Sequence, residues 1–188
     1  MTDLIFDTET TGFPLRQLPS SNPRQPHLVQ LAAILADGDH IISSFCETIY
    51  CPIDIPEGAT AVHGITTKVS QSEGVPIAKA LYMFGSLFRQ ANRLVAFNIM
   101  FDLKILKIAY ARGGYHVSWL NSISRICTMK SATDHCGFQK KKWPKLQEAY
   151  KALVNSDGFT GAHSADADAK ACLKILRALE KKGAKLVS

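Results

Sequence analysis

The feature that most constrains this chain lies near its start, where Leu4-Ile5-Phe6, a short apolar run of strand composition, leads straight into Asp7-Thr8-Glu9. Side chains alternate between the two faces of a strand, so Asp7 and Glu9 share a face at the end of a run that otherwise belongs in a core. Two carboxylates held together repel unless a cation intervenes. The fold therefore has to bury this strand and still give its acidic end a counter-charge. Thr10-Thr11-Gly12 breaks the strand, and residues 13–26 follow with Pro14, Pro19, Pro23 and Pro26 among Ser20, Ser21 and Asn22. Such a segment forms no regular element and reads as a loop insertion.

Beyond the loop, strand and helix signals interleave. Leu28 to Leu35 and Ile41 to Ile49 are β-capable runs separated by Ala36-Asp37-Gly38-Asp39, an Asp-Gly signal for an antiparallel hairpin. Ile77 to Gln90 carries apolar residues at 77, 80, 81, 84, 87 and 88, a helical repeat, and Leu94 to Phe97 reads as a buried strand. Asp102 to Arg112 is a helix closed by Gly113-Gly114, and Arg125 to Met129 is a short strand. The last helix spans about Ala165 to Lys182, with Cys172, Ile175 and Leu179 on one stripe and Lys170, Lys174, Arg177 and Lys181 on the other. The order predicts a three-layer α/β fold with a mixed central β-sheet flanked by helices. The 188 residues suit a single domain, 1–188, ending in a flexible tail over 183–188.

Composition narrows the class of protein. Lys and Arg number 22 against 16 Asp and Glu, a formal charge of +6 and a modest attraction for polyanions. With 46% hydrophobic residues the chain is not a disordered one. No apolar run has the length needed to cross a bilayer, so no membrane association is expected. The five cysteines, at 46, 51, 127, 136 and 172, form no CxxC pair, which argues against a zinc ribbon or a disulfide framework. With an acidic start unlike a secretory signal, the expectation is a reduced, cytoplasmic protein.

Two further carboxylates fall where the pattern demands a buried position. Asp168 shares the inward stripe of Cys172, Ile175 and Leu179. Asp102 opens an apolar helix, where it either complements the helix dipole or joins a site. Several carboxylates converging in one place make a hard-oxygen cage for Mg²⁺ or Mn²⁺, and two such ions suit a phosphoryl displacement. His163, five residues before Asp168, is then a candidate base, since an imidazole ordinarily titrates near pH 6.5, about where general-base catalysis needs it.

Phe6-Asp7-Thr8-Glu9-Thr10-Thr11-Gly12, Phe97-Asn98-Ile99-Met100-Phe101-Asp102 and His163-Ser164-Ala165-Asp166-Ala167-Asp168 resemble the three motifs of the histidine-type DEDD exonucleases, the DnaQ-like family of the ribonuclease H-like superfamily. The resemblance implies a ribonuclease H-like fold, two metal ions held by Asp7, Glu9, Asp102 and Asp168, and His163 as the base that activates water. It implies release of nucleoside 5′-monophosphates from the 3′ end of a nucleic acid, single-stranded DNA being the expected substrate. Thr8, Thr10 and Gly12 would lie near the terminal nucleotide, and Asn98 would support the second motif or touch substrate. Val62-His63-Gly64-Ile65-Thr66 is similar to a family stretch beside the terminal bases, so His63 and Ile65 are either substrate contacts or a turn and a core residue. Phe97 departs from the pattern, where many relatives carry histidine.

Lys140-Lys141-Lys142-Trp143-Pro144-Lys145 clusters charge around one aromatic, either for phosphate contacts with base stacking or as a solvated run. The expected partners are a single-stranded 3′ end and a DNA polymerase or other replication or repair protein. The alternatives are a 3′-5′ exoribonuclease that trims RNA, and an inert nucleic-acid-binding module on the same fold.

Overall fold

The computed structural model describes residues 1–138 and 143–188; of the Lys-rich segment, Lys140, Lys141 and Lys142 fall outside the described residues. Five strands form one mixed sheet: β1 (Thr2–Thr10), β2 (Leu28–Asp37), β3 (His40–Thr48), β4 (Arg93–Ala96) and β5 (Ser124–Cys127), in the order β3-β2-β1-β4-β5. β1, β2 and β3 pair antiparallel, joined at β2–β3 by the Asp-Gly turn, and β4 and β5 join parallel to β1. The helices are α1 (Glu57–His63), α2 (Thr67–Glu73), α3 (Ile77–Phe88), α4 (Ile99–Arg112), α5 (Thr128–Cys136), α6 (Leu146–Leu153) and α7 (Ala165–Lys181). This is the expected three-layer α/β architecture.

Strand alternation divides the core into two layers. Leu4 and Phe6 of β1, with Leu31, Ala33 and Leu35 of β2 and Leu94 and Ala96 of β4, pack against α3 and α4. There the rings of Phe6 and Phe84 meet edge to face at 5.4 Å. Ile5, Ala32, Ile34 and Val95 face the other way, onto Ala169, Cys172, Leu173 and Leu176 of α7. Asp3, Asp7 and Glu9 have the parity of Ile5, so all three acids of β1 face α7.

Helix α7 is fastened at both ends. At its start the amide of Ala165 donates to Gln30 Oε1 of β2 at 2.9 Å. Toward its end Arg177, expected on the solvent stripe, is instead buried. Its Nε donates to the carbonyl of Gly38, its Nη1 to Glu180, and its Nη2 lies 2.8 Å from the fully buried Asp3 as an ion pair without hydrogen-bond alignment. Arg93 closes the cluster, donating to Asp3 and, at 2.6 Å, to Glu180. Periodicity places Arg177 on the polar stripe; the buried carboxylate of Asp3 on the neighbouring strand draws it inward.

The segment expected as a loose tail is also held. Cys127 donates to the carbonyl of Val187 at 2.7 Å, the Val187 amide donates to Ser131, and Leu186 packs against the layer under α7. Val187 thus bonds to the last residue of β5 while Leu186 packs into the core.

Removing one partner from a buried ion cluster strands the charges that remain. Asp3→Ala is expected to lower the unfolding free energy by about 3–5 kcal/mol in a urea melt. A loss below about 1 kcal/mol would show that water screens Arg93 and Arg177 adequately.

Candidate active site

The acidic end of β1 meets the first turn of α7 because the two run in opposite directions at matched lengths. Asp3 to Asp7 covers four strand residues, about 13 Å at roughly 3.3 Å each, and Arg177 back to Asp168 covers nine helical residues, about 13.5 Å at 1.5 Å each. With Arg177 fixed on Asp3, Asp168 arrives over Asp7 and Glu9. Carboxylate oxygens of these three residues all lie within 4.8 Å of one another. The β1–β2 register shifts between Glu9 and Thr10, a bulge that ends regular pairing at the site.

Asp102, in the first turn of α4, is buried beside this triad but outside that close group of oxygens. Thr8 donates to its Oδ1 from both the amide (3.1 Å) and the hydroxyl (2.7 Å), which orients the carboxylate and leaves Oδ2 without a partner from Thr8. Asp168 accepts from the backbone amide of His163 at 3.2 Å and 3.3 Å. His163 itself is exposed in the loop before α7 and has a left-handed backbone, φ 69°, uncommon for a residue with a side chain. The bent loop brings its amide to Asp168 while its ring stays in solvent.

Burial raises the proton affinity of all four carboxylates, and neighbouring carboxylate charge adds to it at Asp7, Glu9 and Asp102. Desolvation holds Asp7 well above the ordinary carboxylate range, aided by the charges of Asp102, Asp168 and Glu9. Burial, with Asp168 and Asp102 nearby, pushes Glu9 up to about 8. Burial raises Asp102 to about 7 against the lowering by its Thr8 hydrogen bonds, and Asp168 to about 6 against that by the His163 amide. Among the described residues no Lys or Arg forms an ion pair with any of the four. Hard oxygen donors gathered without a protein cation fit divalent Mg²⁺ or Mn²⁺.

Two recesses flank the carboxylates. One, of about 560 Å³, is lined by Asn98, Phe101, Lys145, Leu146, His163 and Asp168 among others. The other, about 240 Å³, is bounded by Thr8, Glu9, Thr10, Gly12, Val62 and His63. Phe13 borders both, 84% exposed, with its ring 6.0 Å from that of Phe101 in an edge-to-face pair. These two aromatics were not among the site residues expected from sequence. The signal lay in their positions, directly after Thr10-Thr11-Gly12 and directly before Asp102.

The remaining expected residues divide. Thr10 and Gly12 form a small turn, the Thr10 hydroxyl donating to the Gly12 carbonyl at 2.7 Å, and both face the smaller recess. His63 accepts from the Ile65 amide at Nδ1, 3.1 Å, and the residue borders the same recess with its Nε2 buried. Ile65 does not join them. It is 7% exposed in a small cluster with Val29, Cys51 and Ile55, a packing residue. Asn98 makes no side-chain cap to α4 and faces the larger recess. Phe97, at the position of departure, packs into the layer beneath α7. Trp143 is half-exposed, and Lys145 reaches the larger recess.

A mixed sheet with an acidic cluster at the end of its central strand, faced by a histidine loop, is the arrangement of a nuclease of the ribonuclease H-like superfamily. The family model described as Exonuclease (RNase_T) matches residues 4–176, and the chain belongs to this family. No curated protein matches the sequence. Among solved structures, the zinc-bound form of the Escherichia coli exonuclease I complex with single-stranded DNA superposes with a TM-score of 0.74 at 22% identity, over 96% of this chain and 40% of that one. E. coli exonuclease I with a dT13 oligonucleotide gives 0.73 at 22% identity, over 95% and 41%. A further exonuclease I structure gives 0.75 at 22%, over 96% and 41%. The chain thus spans about two fifths of the length of these structures, and the likeness is one of fold. Among the described residues no helix is long and apolar enough to cross a membrane.

The raised carboxylates make a pH prediction. The metal-free native state keeps protons that the unfolded chain releases above about pH 4, so stability should fall as pH rises from about 4 to 8. Mg²⁺ or Mn²⁺ should offset that loss, raising Tm most near pH 8, and the metal response should shrink in Asp7→Ala. A metal-free Tm that rises steadily across this window would contradict the desolvated cluster.

Proposed function

We propose that this chain is a 3′-5′ exonuclease that releases nucleoside 5′-monophosphates, with single-stranded DNA as substrate. The observation that carries the reading is the convergence of Asp7, Glu9 and Asp168 within 4.8 Å, with Asp102 alongside and, among the described residues, no protein cation paired to any of them. Asp7, Glu9, Asp102 and Asp168 would hold two Mg²⁺ or Mn²⁺ ions. When bound, these supply positive charge at the scissile phosphate and relieve the repulsion among the carboxylates.

His163 is the general base. Its exposed ring, on a loop tied through the backbone amide to Asp168, accepts a proton from the attacking water at an imidazole nitrogen. Water oxygen bonds to the phosphorus of the terminal nucleotide while the bond from phosphorus to the penultimate O3′ breaks. The products are a nucleoside 5′-monophosphate and a strand one nucleotide shorter with a free 3′-hydroxyl. Phe13 and Phe101 offer aromatic surface to the terminal base, and a base face is free for stacking when its strand is unpaired. Thr10, Gly12 and His63 line one side of that position, and Asn98 and Lys145 the other. Single-stranded DNA is favoured over RNA because the matching solved structures include exonuclease I bound to single-stranded DNA and to dT13.

The test is to incubate the protein with end-labelled DNA and RNA, single- and double-stranded, with Mg²⁺, Mn²⁺ or EDTA. The expected result is metal-dependent shortening of single-stranded DNA from its 3′ end, abolished by Asp7→Ala or Asp168→Ala with the fold retained. His163→Ala should slow the reaction by about 10²–10⁴-fold with substrate binding preserved. Shortening from the 5′ end would overturn the polarity, and preferential hydrolysis of RNA would move the enzyme to RNA trimming. No cleavage with either metal would leave a nucleic-acid-binding module.

A further inference from the structure

The proline-rich segment between Phe13 and Pro26 lacks regular secondary structure, yet side chains brace it from within and from α4. Gln25 is only 2% exposed, and its side-chain amide serves the loop alone. Its Nε2 donates to the carbonyls of Leu15 (2.9 Å), Leu18 (3.0 Å) and Pro19 (3.3 Å), and its Oε1 accepts from the Leu15 amide at 3.0 Å. A buried primary amide with both ends satisfied by one loop acts as the hub of that loop.

The loop is also fastened to α4. Arg112, in the last turn of that helix, donates to the carbonyls of Pro26 (3.0 Å), Gln25 (2.7 Å) and, more weakly, Pro23 (3.5 Å). Among the described residues it has no carboxylate partner, so its fork of donors is committed to loop carbonyls. Lys104, also on α4, donates to Ser20 at 3.1 Å. At the neck Thr11 and His27 exchange two hydrogen bonds, of 3.0 Å and 2.9 Å. Phe101 and Asp102 lie on the first turn of this same helix, so one rigid element carries a carboxylate of the site, the partner ring of Phe13 and the braces of the loop that holds Phe13.

We propose that Gln25 and Arg112 are positioning residues, which hold the 13–26 loop so that Phe13 stands beside Phe101 as a fixed aromatic wall for the terminal base. An 84% exposed phenylalanine gains little from its own packing, and without the braces its position would be free to wander. Braced, it meets the base without an ordering cost at binding. The inference rests on the exonuclease reading above.

The test compares two single-stranded DNA substrates, one with a normal 3′-terminal nucleotide and one whose terminal residue is abasic. Wild type is expected to favour the base-bearing end by about 10- to 100-fold in kcat/KM, the worth of one stacked base. Gln25→Leu and Arg112→Lys should each reduce that preference severalfold, mainly through a higher KM for the base-bearing end. Phe13→Ala should remove the preference, and adding Gln25→Leu to it should reduce the preference no further. Trypsin reads loop order independently, because Arg16 and Arg24 are exposed within the loop and should be cut about tenfold faster in the variants. If Gln25→Leu does not fold, Arg112→Lys carries the same readouts. Equal losses on both substrates, or unchanged discrimination with faster tryptic cutting, would overturn the inference. Failure of wild type to cleave either substrate would instead sink the exonuclease reading.

Discussion

The ion cluster of Asp3, Arg93, Arg177 and Glu180 is the constraint on which the rest of the structure depends. It fixes how α7 lies across β1, with Gln30 holding the amide of Ala165 at the other end. Because nine helical residues and four strand residues span nearly the same distance, fixing one end of the pair sets the other. Asp168 therefore faces Asp7 and Glu9 without a dedicated contact of its own to either strand residue. The alignment of the carboxylates is thus set at both ends of α7, by the ion cluster about 13 Å away and by Gln30, which pairs with Glu9 across β1 and β2.

The two ends of this strand and helix pair treat the same chemistry in opposite ways. Asp3 and Glu180 are neutralised by two arginines from within the fold, so that end is electrically closed. Asp7, Glu9, Asp102 and Asp168 receive hydrogen bonds from Thr8 and from the His163 amide, but no ion pair among the described residues. Burial lifts their proton affinities, with repulsion adding to it at Asp7, Glu9 and Asp102, and the fold keeps them together despite that cost. A protein that leaves one carboxylate cluster open while closing another next to it is arranged for an external cation at the open one.

Around this centre, the two recesses are lined from loops and helix ends. Phe13 comes from the proline-rich loop, Phe101 from the first turn of α4, His63 from a two-turn helix and His163 from a strained loop. What they share is a rigid backing: Gln25 and Arg112 behind Phe13, α4 behind Phe101, the Ile65 amide on His63, and Asp168 on the His163 backbone.

The β2–β3 hairpin, the helices from Ile77 and Asp102, and α7 were legible because an apolar repeat needs only local spacing to reveal which face is buried. Asp7, Glu9 and Asp168 were legible for the same reason, as acids standing where the repeat demands burial. Spacing could not show that Arg177 turns inward, since its partner Asp3 lies 174 positions earlier in the chain. Nor could it show that Ile65 packs with Val29 and Cys51 while His63, two residues away, borders the smaller recess, or that Val187 bonds to the end of β5. Proline content correctly denied residues 13–26 a regular element but said nothing of their order, which comes from one buried amide and one arginine. By itself the sequence determined which apolar faces must be buried and which carboxylates stand among them, because hydrophobic periodicity is local. Only the tertiary structure decided which polar groups meet, because hydrogen bonds and ion pairs form between atoms that are close in space, whatever their separation along the chain.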